Sequence, residues 1–209
     1  MSDAPRRLRH VVIRCHPDQD SLNAAMAAAY TTEVEQHGHE VVLRDLYAMG
    51  FDPVLKSSER PGMAFRETAD VHDELAVIAG ADVFVLVYPI WFGGPPAMLK
   101  GYIERVLGST AMPLQFAQEA SHGILTGKRL VTFSTSATES HWLATQGQMQ
   151  SLVAGFDRYI EHGFAMQPSQ HYHFGGITAG MEPGEITRIL HEVTERARVL
   201  CLNLDREGR

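Results

Sequence analysis

The stretch DVFVLVYPIWFGGPPAMLK, residues 82–100, decides how this chain folds. Asp82 to Tyr88 is its most hydrophobic run, apolar at successive positions and therefore on both faces of an extended segment, which predicts a fully buried strand. Gly93, Gly94, Pro95 and Pro96 then break the strand, and the two prolines suit the first turn of a helix because neither needs a backbone N–H there. That helix is expected to reach about Leu107.

The same alternation extends in both directions. Leu8 to Cys15 reads as a strand ending at His16-Pro17-Asp18. Leu22, Ala25, Met26, Ala29 and Tyr30 follow at helical spacing, with Asp20 or Ser21 as N-cap and Gly38 just past the end. Glu40 to Arg44 reads as a second strand, Asp45 to Gly62 as irregular and Ala64 to Ala79 as a helix. Beyond a loop from Gly108 to Gly127, Leu130 to Ser134 predicts the fourth strand, Gln146 to Glu161 a helix and Phe164 to Gln167 the fifth strand. Glu182 to Asn203 closes the chain as a helix with Ile186, Ile189, Leu190 and Val193 on one face. Strands alternating with helices imply one α/β domain over residues 1–209: a doubly wound five-stranded parallel sheet of flavodoxin-like order 2-1-3-4-5, helices on both faces. No linker or repeat suggests a second domain.

Composition narrows the function. Lys and Arg total 18 against 25 Asp and Glu, a net charge of −7, which argues against a surface that gathers nucleic-acid backbones. Arg6, Arg7, Arg9 and His10 read as a solvated N-terminal arm. The apolar stretch from Val83 to Leu99 is interrupted short of the ~20 residues a membrane span needs, and no secretory segment follows Met1, so a soluble, cytoplasmic chain is expected. Cys15 and Cys201 show no zinc or disulfide spacing and no metal site is expected; Cys15 reads as a small buried hydrophobe.

In a sheet of this kind ligands bind beyond the carboxyl ends of the strands, which singles out the loops after Cys15, Tyr88 and Ser134. The first feeds a helix N-terminus, where unpaired N–H groups and partial positive charge suit a phosphate; Ser21 and Asn23 add donors, His16 can add a cation, and Asp18 and Asp20 must turn outward. Ser21 acting only as a cap is the competing reading. Neither glycine fingerprint of a dinucleotide or nucleoside-triphosphate loop occurs. In the second loop Trp91 and Phe92 beside Gly93 and Gly94 offer an apolar platform that a flat ring can approach closely.

His16 to Asn23, Asp45 to Met49, and the run from Pro89 to Arg105 with Val106, containing Trp-Phe-Gly, Pro-Ala and Leu-Lys-Gly-Tyr-Ile-Glu-Arg-Val, resemble the NAD(P)H:quinone oxidoreductase family, the DT-diaphorase-like flavoproteins. The resemblance implies a homodimer holding FAD, or FMN in some branches, without a covalent bond. It places His16, Ser21, Leu22 and Asn23 at the flavin phosphates and Pro89, Ile90, Trp91, Phe92 and Gly93 along the ring. It also implies ping-pong hydride transfer from NAD(P)H through the flavin to a quinone-like acceptor.

The third loop, Ser134, Thr135, Ser136 and Ala137, stands where relatives carry Thr-Thr-Gly-Gly against the ring, so hydroxyls are kept and glycines are not. Trp142 replaces a tyrosine near the ring. A relay histidine of the family is absent at Gln148 to Gln150, and His141 is the candidate substitute, with an ordinary surface histidine as the alternative. Pro113 to Phe116 replace substrate-facing tyrosines. Arg188 corresponds to an arginine near the distal part of FAD, with a surface ion pair as its other reading. His171 and His173 would share one face if Gln170 to Phe174 were extended, but they lack a third metal ligand. Two rival functions are a flavodoxin-like one-electron carrier and a regulatory subunit similar to the ancillary proteins of bacterial potassium-efflux systems.

Overall fold

The computed structural model describes residues 7–60, 66–109 and 123–207. Five parallel strands form one sheet in the order β2-β1-β3-β4-β5: β1 (Arg9–Arg14), β2 (Glu40–Asp45), β3 (Val83–Pro89), β4 (Arg129–Thr135) and β5 (Gln170–Phe174). This is the fold read from the sequence, and the reason lies in the side-chain alternation of β3. Phe84, Leu86 and Tyr88 pack on one face with Val11, Ile13, Leu99, Tyr102, Phe156 and Ile160. Val83, Val85 and Val87 pack on the other with Val12, Met26, Tyr30, Val193 and Leu200. A strand buried on both sides has no polar face, and each such large side chain contributes about 1.5–3 kcal/mol of burial.

Helices α1 (Leu22–Gln36) and α7 (Pro183–Glu207) cover the second face; α2 (Ala69–Ile78), α3 (Ala97–Tyr102), α5 (Gln148–Leu152) and α6 (Arg158–Gly163) cover the first, and α4 (Ser140–Thr145) follows β4. Ser21 caps α1, its Oγ accepting from Ala24 N at 3.2 Å, and Gly38 leaves the helix at φ +79°. A wider π turn, Ile103–Leu107, extends α3, and another, Val153–Asp157, joins α5 to α6. No helix among the described residues is long and apolar enough to cross a membrane.

Four expectations are corrected. The fifth strand is Gln170–Phe174, not Phe164 to Gln167. The latter segment wraps the end of α6: Phe164 N donates to Ile160 O, Met166 N to Glu161 O, and Ala165 has φ +51°. Within the described residues α2 begins at Ala69, Thr68 preceding it in extended geometry; Ala64 and the Pro113 to Phe116 segment lie outside the described residues. The long helix expected from Gln146 starts at Gln148, because Gly147 at φ +71° separates it from α4, which carries His141 and Trp142. Arg9 and His10 are no solvated arm: both belong to β1 and His10 is fully buried.

Candidate functional site

The three loops after β1, β3 and β4 are tied to one another by bonds that begin in the strands. Cys15 N donates to Val87 O at 2.9 Å, and Ile90 N to Thr135 O at 2.7 Å. Cys15 is buried and burial pushes its thiol up to about 12, so it acts as a packing residue, not a nucleophile. In the first loop Asp18 N donates to His16 Nδ1 at 3.0 Å and Asp20 N to Asp18 Oδ1 at 2.9 Å. These turns leave Asp18 and Asp20 exposed and bring the chain into Ser21 and the first turn of α1, which carries no acidic residue.

Asn23, in that first turn, is buried. Its Oδ1 accepts from Thr135 Oγ1 at 3.2 Å, which fixes the amide, yet its Nδ2 is buried without a hydrogen-bond partner. A buried donor left unpaired costs about 1–3 kcal/mol, so one at a helix N-terminus marks a place built for an acceptor. A phosphate oxygen has that chemistry, and the donor set therefore fits a flavin phosphate.

The second loop is a tight hairpin. Trp91 N donates to Gly94 O at 2.9 Å and Gly94 N to Trp91 O at 3.1 Å, with Phe92 at φ +50° and Gly93 at φ +82° between them. Both central residues of such a turn take left-handed geometry, easy for Gly93 and costly for Phe92. The Phe92 ring lies fully in solvent, while Trp91 is 40% exposed and its ring lies 5.9 Å from that of His16. Large apolar faces are thus presented at the mouth of the crevice instead of being packed into the core. Pro89 ends β3 and is buried; Ile90 is partly buried against the core.

The hydroxyls of the third loop are committed internally. Ser136 Oγ donates to Thr138 O at 2.6 Å, so His173 Nε2 is the donor in its 3.0 Å bond to Ser136. His173 Nδ1 then accepts from Ser134 Oγ at 2.9 Å, and Ser134 accepts from His171 Nε2 at 2.6 Å. His171 Nδ1 meets Asp157 Oδ2 at 2.6 Å, and Asp157 Oδ1 accepts from Thr132 Oγ1 at 3.0 Å. His173 is held neutral: burial, with His171 beside it, pushes it down to about 4. Asp157 enters this chain from the π turn between α5 and α6, and the sequence reading missed it. Thr132, Ser134 and Ser136 recur at period two, as do His171 and His173; that shared spacing was the available signal.

Loop three can therefore serve a ligand through backbone and Ala137, which is exposed, more readily than through Ser134, Thr135 or Ser136. His141 and Trp142 lie exposed on α4, with Trp142 at 45%. Arg188 stands apart on α7, its side chain 64% exposed and 3.8 Å from Glu185.

The flavodoxin-like fold family model matches residues 9–197. An NAD(P)H oxidoreductase of Haemophilus influenzae is 32% identical over 164 residues, covering 75% of this chain and 70% of that protein. The NAD(P)H dehydrogenase [quinone] 1 of Rattus norvegicus is 31% identical over 117 residues, covering 47% of this chain and 43% of that protein. Among solved structures, the NAD(P)H:quinone oxidoreductase from Methanothermobacter marburgensis superposes with a TM-score of 0.74 at 22% identity, covering 95% of this chain and 96% of that one.

Proposed function

The chain belongs to the flavodoxin-like NAD(P)H:quinone oxidoreductase family, and on that premise we propose that it is a flavin-dependent enzyme using FAD, with FMN as the alternative, NAD(P)H as reductant and a quinone or similar small molecule as acceptor. When bound, the flavin supplies two-electron chemistry, so that reductant and acceptor use one space in turn, in ping-pong order. The observation that carries this reading is the unpaired Nδ2 of Asn23 at the start of α1, fixed by Thr135, whose carbonyl also accepts from Ile90 N just before the Trp91 hairpin.

In this reading the N–H groups of Leu22 and Asn23, the Asn23 amide and the Ser21-capped helix end bind the phosphates. His16 braces Trp91 through their ring contact. Pro89 to Gly93 offer the ring an apolar face and backbone, and Ala137 with the loop-three backbone closes its other edge. His141 and Trp142 border the acceptor space, where an exposed imidazole can exchange protons with solvent. A net charge of −7 does not oppose an anionic cofactor, because fixed N–H groups act locally. Arg188 is left to its ion pair with Glu185. The active species is proposed to be a homodimer, which light scattering on the purified protein tests.

The deciding experiment measures NADH and NADPH oxidation with a benzoquinone, with and without added FAD or FMN. Near-stoichiometric flavin and acceptor-dependent turnover with parallel double-reciprocal lines are expected. Binding of neither flavin would overturn the proposal. Flavin binding with no NAD(P)H oxidation would move the chain to the electron-carrier or regulatory reading.

A further inference from the structure

At the end of the sheet opposite these loops, His10, His39 and Cys201 bring their ligand atoms together, and we propose that this trio binds a zinc ion. The atoms lie within 4.8 Å of one another and all three residues are buried. His10 is the second residue of β1, His39 sits in the turn between α1 and β2, and Cys201 is on α7. The site would staple three elements that are remote in sequence.

The geometry is close to what zinc needs. His10 Nε2 and His39 Nδ1 are 3.0 Å apart. With Zn–N near 2.0–2.1 Å and Zn–S near 2.3 Å, tetrahedral edges of about 3.4 Å between nitrogens and about 3.6 Å to sulfur follow. The nitrogens need separate by only a few tenths of an ångström, and the sulfur approach by an ångström or so. The outer nitrogens are also anchored: His39 Nε2 lies 3.1 Å from Asp205 Oδ1, and His10 Nδ1 lies 2.8 Å from Tyr30 Oη. A carboxylate behind one ligating histidine and a hydroxyl behind the other are the supports that orient imidazoles toward a metal. Asp205 stands one helical turn after Cys201, and its side chain is 37% exposed.

The protons balance. Without metal, Tyr30 donates to His10 Nδ1, His10 Nε2 to His39 Nδ1, and His39 Nε2 to Asp205. On binding, His10 carries its proton on Nδ1 and donates it to Tyr30, while His39 keeps its bond to Asp205. The two freed lone pairs and the Cys201 sulfur form three bonds to zinc, a water from solvent takes the fourth position, and the thiol proton leaves to solvent. No electrons move. A thiol and two imidazoles suit zinc or cobalt over calcium or magnesium.

The test titrates tag-free, chelator-treated protein with Co²⁺. One equivalent should give tetrahedral visible bands and a thiolate-to-cobalt charge-transfer band, both removed by one equivalent of Zn²⁺. Cys201→Ser should lose the charge-transfer band. Asp205→Asn, at a part-exposed position, should bind about 10–100-fold more weakly while retaining flavin as the unsubstituted protein does. Octahedral cobalt spectra, or Co²⁺ affinity unchanged in Asp205→Asn, would overturn the proposal even if Cys201→Ser failed to fold.

Discussion

Arg105 and Glu59 form a buried ion pair across 46 positions of the chain, with Nη2 2.6 Å from Oε1 and both side chains 2% exposed. The same guanidinium donates to Asp52 O at 2.6 Å and to Asp70 Oδ2 at 2.8 Å, so it pins the segment after β2 onto α3. Arg105 in turn holds the Glu59 carboxyl below the usual carboxylate range. Breaking such a pair leaves a buried charge uncompensated, so Arg105→Met should lower stability by about 3–5 kcal/mol, read from urea unfolding. Changing both residues to apolar ones of similar volume should recover part of that loss. An additive double-variant loss would show that the pair is not coupled.

At the second loop, stability and ligand retention should separate. Trp91 is 40% exposed and Phe92 fully exposed, so neither is a core residue. Trp91→Ala should change unfolding free energy by less than about 1 kcal/mol and still weaken flavin retention at least tenfold. Phe92→Gly should raise the melting temperature, because the left-handed backbone costs a side-chain residue roughly 1–2 kcal/mol. Equal losses of stability and flavin in Trp91→Ala would return that ring to a packing role.

Strand β3 was legible because burial on both faces leaves an unbroken apolar run, and β1 and β4 through their shorter apolar centres, Val11 to Ile13 and Leu130, Val131 and Phe133. Strand β5 was not: Gln170, His171, Tyr172 and His173 make an edge strand that is only partly buried, while Phe164 to Met166 look strand-like but serve to cap α6. The loops that form the candidate site were readable from their position after the strands. The commitment of Ser134 and Ser136 to His173, and the isolation of Asn23 Nδ2, depend on residues far apart in sequence, and no local pattern reveals them. The run from Leu99 to Val106 shows a second limit. Its similarity to relatives marked the family but gave these side chains no role; Gly101 lies against Pro53, where a Cβ would come within 2.2 Å of the carbonyl oxygen, Tyr102 donates to Glu74 at 2.7 Å, and Arg105 binds Glu59. Much of that motif secures the fold.

His173 gives a pH signature. Its folded pKa, about 4, is below the ordinary value of 6.5, so between those limits the unfolded chain binds more protons. Stability is therefore highest above pH 6.5 and declines as pH falls toward 4, with a slope of up to ~1.4 kcal/mol per pH unit for one proton. Carboxylates held low, such as Glu59 and Glu161, lose their contribution only at lower pH, so the interval from 6.5 to 5 isolates imidazole. His10, buried and pushed down to about 3, contributes over the same interval, so His173→Gln should remove about half of the pH dependence of the urea midpoint there. An unchanged slope would place the charged form of His173 in the folded protein.

Asn23 separates binding from folding most sharply. Its removal costs the bond from Thr135 but also removes an unpaired buried donor, and these effects oppose each other. Asn23→Ala should thus unfold within about 1 kcal/mol of the unsubstituted protein when flavin is absent. With flavin, loss of a hydrogen bond to a charged phosphate, about 1.5–3 kcal/mol, should weaken binding by roughly 10–150-fold. Asn23→Asp should weaken it further, since a carboxylate would face the phosphate. Fluorescence titration with FAD and with FMN reads all three proteins, and equal affinities would remove Asn23 from the cofactor site.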